Sequence, residues 1–108
     1  MSSLGSISCR VPILDGEYYI QWKYKMLELF DEFHLSKYVK SPYVPPIDPL
    51  HPTHEEEVDM LCNLRTVNLI VRALPRNVLN QMKNFACAYT LWNDLEKQYP
   101  NYSLSNLD

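Results

Sequence analysis

Tyr19, Trp22, Met26, Leu29, Phe30 and Phe33 follow an i, i+3, i+4, i+7 spacing, while Gln21, Lys25, Glu28 and Glu32 fall on the opposite side. That pattern puts one apolar stripe on an α-helix and leaves the other face to water. Burying each of the large aromatic side chains is worth about 1.5–3 kcal/mol, so this helix is expected to anchor the core. Asp15 or Gly16 is the expected cap. Ahead of it, Pro12 keeps residues 10 and 11 out of helical conformation, giving an extended lead-in from which Ile13 and Leu14 can cover the helix.

The rest of the chain reads as further helices separated by one long irregular segment. Residues 34–39 can form a short turn that folds Leu35, Tyr38 and Val39 back on the core. Five prolines, Pro42, Pro45, Pro46, Pro49 and Pro52, exclude a helix over residues 41–53 and leave an extended surface loop. Such a loop serves either as a spacer or as a ligand for SH3-type or WW-type domains, and enrichment in proline favours the spacer when nothing else supports recognition. Thr53 followed by Glu56 forms a capping box, and acids in the first turn suit the helix dipole. Met60, Leu64, Val67, Val71 and Leu74 then mark the buried stripe of a second long helix, expected at the bundle centre and stopped before Pro75. Val78, Leu79, Met82 and Phe85 share a face of a shorter helix over residues 77–85. A last helix buries Ala88, Leu91, Trp92, Leu95 and Tyr99 and ends at Pro100. The organisation expected is a tail over residues 1–10, one helical domain over residues 11–100 and a second tail over residues 101–108.

With 108 residues, 46% of them hydrophobic, the chain has room for one domain and one core. A net charge of −3 argues against a general binder of nucleic acid or anionic membrane, which needs a basic field. Three cysteines, Cys9, Cys62 and Cys87, are odd in number and lack metal-ligand spacing, so neither a disulfide framework nor a zinc site is expected. There is no secretory h-region and no apolar run long enough for a bilayer, which points to a cytoplasmic protein whose Asn101-Tyr102-Ser103 sequon goes unused.

Two spaced motifs carry a family resemblance. Leu14, Gly16, Tyr19, Trp22 and Met26 resemble the Leu-x-Gly-x-x-Tyr-x-x-Trp-x-x-x-Met opening of the Gag polypeptides of copia-type LTR retrotransposons. Ala88, Trp92, Leu95 and Tyr99 are similar to that family's later Thr-Ala-x-x-x-Trp-x-x-Leu-x-x-x-Tyr helix, although Cys87 stands where the family favours Thr or Ser. A thiol caps a helix poorly, so either Asn84 takes that role or the helix end frays. The resemblance, which runs from about Val11 to Tyr99, implies an all-α bundle of four to five helices like the N-terminal lobe of a retroelement capsid. It also implies self-association into a dimer or higher oligomer. The alternative is a host-domesticated adaptor that binds a different protein through a helix groove or the Pro-rich loop. The Cys-His zinc knuckle with which many Gag proteins hold RNA is missing, which again argues against direct nucleic-acid binding.

No catalytic constellation emerges, and the family's enzymes lie in polyprotein regions outside the matched stretch. With only two glycines there is no phosphate-cradling loop, and no cofactor, membrane or small-molecule substrate is expected. His51, His54, Glu55, Glu56 and Cys62 invite a metal reading, but Pro52 interrupts the histidine pair and the cap explains the glutamates. Arg65, Asn68, Arg72 and Arg76 form a stripe that is either a polyanion contact or an ordinary solvated face. Beside the core stripe of the first helix, Ile20, Tyr24 and Leu27 make a second apolar strip. Either the bundle covers that strip or it is a protein-protein interface.

Overall fold

A computed structural model of the chain describes residues 11–14, 18–83 and 85–98, and among these it is an all-α bundle of five helices. Helix α1 spans Tyr19–Glu32, α2 Lys37–Lys40, α3 His54–Arg72, α4 Arg76–Leu79 and α5 Ala88–Gln98. Gly16 and Tyr99 of the sequence motifs, Asp15 and Asn84 as expected caps, and both terminal tails lie outside the described residues.

The stripe of α1 packs as its spacing requires. Tyr19, Trp22, Met26, Leu29 and Phe30 are buried, and Phe33, one residue past the helix, is half-buried against the same core. The chain leaves α1 through His34, which is left-handed at φ 60°. The Leu35 amide reaches the Phe30 carbonyl at 2.7 Å and the His34 amide the Asp31 carbonyl at 3.2 Å. This Schellman closure satisfies two end carbonyls and sets buried Leu35 against buried Phe30. The lead-in is also tied down. The Trp22 indole donates to the Pro12 carbonyl at 3.0 Å, and the Leu14 amide donates to the Ala73 carbonyl at the end of α3 at 2.7 Å. Leu14 is buried as expected, but Ile13, on the opposite side of the extended backbone, faces solvent.

Helix α5 is the hub. It packs on α2 and α3 along the backbone. It meets α1 through large side chains, with Trp92 stacked on Trp22 at 5.6 Å between ring centroids and Phe30 edge-on to Trp92 at 5.4 Å. An ion pair from Lys23 to Glu96 at 3.2 Å closes the outer edge of that contact.

The capping box of α3 forms as expected, with the Glu56 amide on the Thr53 hydroxyl at 3.1 Å and the Thr53 amide on the Glu56 carboxylate at 2.8 Å. The face that α3 buries differs from the one its apolar spacing indicates. Asn63, Thr66, Val67, Leu69 and Ile70 point inward, whereas Met60 and Leu64 are 37% and 46% exposed and Val71 is only half-buried. The helix is turned by roughly one residue, about 100°, from the expected orientation. Only its later turns reach the core, so α3 is not the central helix. The segment after Pro75 is also shorter than expected. Helix α4 ends at Leu79, Met82 is buried from the turn that follows, and Phe85 is exposed.

Residues 41–53 contain no helix or strand, and Val44, Ile47 and Leu50 are exposed. The Asp48 carboxylate accepts from the Leu50 amide at 3.1 Å and meets the His51 ring at 3.1 Å, a local turn that uses nothing from the core. Removing residues 45–48 is therefore expected to change the urea midpoint by less than the equivalent of about 1 kcal/mol, because closure entropy varies slowly with loop length.

Candidate interaction surfaces

The strip expected on α1 divides when the bundle forms. Ile20 and Leu27 are partly buried against the core, so the covering bundle accounts for them. Tyr24 stays 62% exposed. Together with Leu27, Glu28, Asp31, Ser36 and Lys40 it lines an open groove of about 440 Å³ between α1 and α2. Of Ile20, Tyr24 and Leu27, only Tyr24 offers a broad free surface.

A second apolar surface includes Met60 and Leu64, which the sequence indicated as core. On the outer side of α3, Met60, Leu61 and Leu64 are exposed, Leu61 at 61%, and Val58 flanks them. Glu57 precedes them on the same side, and Arg65, Asn68 and Arg72 follow, all exposed. The expected basic stripe is thus a solvated part of this face, without Arg76, which lies beyond Pro75 on α4.

The inner side of α3 holds two polar contacts that fix its orientation. Buried Asn63 donates from Nδ2 to the Ala86 carbonyl at 2.8 Å and accepts the Ala88 amide on Oδ1 at 2.9 Å. It caps α5 from another helix, the role sought from Asn84. Thr66, fully buried, returns its hydroxyl to the Cys62 carbonyl at 2.7 Å, which removes the cost of placing it in the core. Cys87 stands at the same helix start. Burial pushes its thiol up, but hydrogen bonds from the Thr90 backbone and then the Tyr43 backbone outweigh that and leave its pKa below the ordinary value.

Between α2 and α3, the Tyr38 hydroxyl donates to Asp59 at 2.7 Å and Lys37 lies 3.5 Å from the same carboxylate. Burial, then the hydrogen bond to Asp59, pushes the Tyr38 phenol far above its usual range. The Tyr38 hydrogen bond, assisted by Lys37, lowers the Asp59 carboxyl. A carboxyl lowered on folding contributes stability that is present above its unfolded value, 3.8, and lost as pH falls through the folded one. Urea midpoints of the wild type and Asp59→Asn should therefore differ at neutral pH and converge below about pH 4.

Among the described residues, no three His, Cys, Asp or Glu side chains gather as a metal site, and no helix is long and apolar enough to cross a membrane. The class that the fold defines is an all-α helical bundle. Comparison of the chain with protein-family models, curated proteins and solved structures finds no match.

Proposed function

We propose that this bundle is a non-enzymatic, Gag-like interaction domain of the copia type, resembling a capsid N-terminal lobe, and that its activity is self-association. The observation that carries the reading is the uncovered apolar side of α3, where Met60, Leu61 and Leu64 adjoin on one rigid helix. Contiguous apolar side chains on a helix face mark contact sites more often than isolated ones do. The resemblance is supported by the placement of its residues. Tyr19, Trp22 and Met26 from the first motif and Ala88, Trp92 and Leu95 from the second are buried in one core, with the two tryptophans stacked. Both motifs therefore serve the fold and leave the surface to function.

A second reading, an adaptor adopted by a host, draws on the exposed Val44, Ile47 and Leu50 of the Pro-rich loop. Sedimentation velocity over a wide concentration range separates the two. Self-association predicts a weight-average mass that rises with concentration, and a strict monomer at every concentration supports the adaptor.

A further inference from the structure

The order of side chains along the outer side of α3 narrows what can cover it. From the N-terminal end it reads Glu57, then Met60, Leu61 and Leu64, then Arg65, Asn68 and Arg72. At 100° per residue, Glu57, Leu61, Leu64, Arg65 and Arg72 fall within roughly 100° of arc, with Met60 just beside them. The two arginines and Glu57 make no ion pair with other described residues. An acid-apolar-base sequence is complementary to its own reverse. Laid antiparallel, two copies set apolar on apolar in the middle and acid beside base at both ends, with helix dipoles opposed. Laid parallel, they set acid on acid and base on base.

We propose that the outer face of α3 is the contact for a second copy of this chain, in an antiparallel two-fold pairing. This rests on the self-association reading and gives it a surface. With the axis passing between Leu61 and Leu64, each Leu61 meets Leu64 of the second copy. Glu57 then lies roughly 4.5 and 6 Å along the axis from the levels of Arg65 and Arg72 of that copy, at 1.5 Å per residue, a separation their side chains span. Seven side chains per copy make a contact well below the roughly 800 Å² per partner of a standard interface. The dimer is accordingly weak, and it strengthens when copies are held close together.

Sedimentation of the wild type and three variants tests the pairing, with far-ultraviolet circular dichroism on each to check folding. Leu61→Asp is expected to weaken the dimer by about tenfold or more, since it places a charge in the apolar centre. Glu57→Arg alone is expected to weaken it through like-charge contact, and Glu57→Arg combined with Arg65→Glu and Arg72→Glu to restore it, because the reversed charges are again complementary. Rescue in the triple variant is the result specific to antiparallel pairing, and it decides the matter even if Leu61→Asp fails to fold. A wild type that associates while Leu61→Asp and Glu57→Arg associate equally well overturns this surface but leaves self-association standing. Loss of association in Tyr24→Asp alone then moves the contact to the α1–α2 groove. A wild type that remains monomeric throughout overturns both.

Discussion

Trp92→Ala is expected to lower stability by about 3–5 kcal/mol, a large share of the roughly 5–15 kcal/mol that a domain possesses, and to leave the fold marginal at ambient temperature. Trp92 stands where α1 meets α5. It stacks on Trp22 of α1, receives Phe30 edge-on from the next turns of α1, and belongs to α5, which packs on α2 and α3. Truncation removes a side chain that is only 4% exposed and leaves two aromatic rings facing a void too closed in to collapse. Trp22→Ala should cost a similar amount and also release the Pro12 carbonyl that holds the lead-in. The check is a urea titration followed by far-ultraviolet circular dichroism. An unchanged midpoint for Trp92→Ala would mean that the aromatic cluster does not hold the helices together.

The second large effect is expected at Asn63. Replacing it by alanine strands the buried Ala88 amide, which costs about 1–3 kcal/mol, and hands the carbonyl of exposed Ala86 to water. A loss of about 1–3 kcal/mol is therefore expected, with fraying of the first turn of α5. Asn63→Leu keeps the branching and the number of heavy atoms but none of the hydrogen bonds, so comparing it with Asn63→Ala separates lost hydrogen bonds from lost packing. Similar losses in both variants support the clamp, whereas a near-neutral leucine shows that packing alone matters there.

These two residues also show what could be read before the structure was known. Trp92 and the α1 stripe were legible because large aromatic residues at helical spacing have few places to go but inward. The Thr53–Glu56 cap was legible because it is local, made within one turn. Asn63 and Thr66 were not, because their burial depends on partners that spacing does not reveal. Asn63 is inside because α5 begins beside it, 25 residues later in the chain. With both counted as polar, the apolar residues of α3 fitted an alternative face through Met60 and Leu64. That rotation assigned Met60 and Leu64 of the exposed strip to the core and so concealed the surface now proposed for association. On α1 the second strip was visible, but how much of Ile20 and Leu27 the bundle covers is set by tertiary packing.

Helix α3 is supported unevenly along its length. Its first two turns bury no side chain and are held by the cap and the Tyr38 contact, while the turns from Asn63 onward are locked in the core. Backbone amides should accordingly exchange with solvent in two regimes, rapidly through brief openings near the N-terminal end and slowly, limited by global unfolding, near Ile70. Leu61 sits at the boundary between them. Contact at that point would lend the outer turns the slow exchange of the inner ones, so that association is recorded as a length of helix gaining protection.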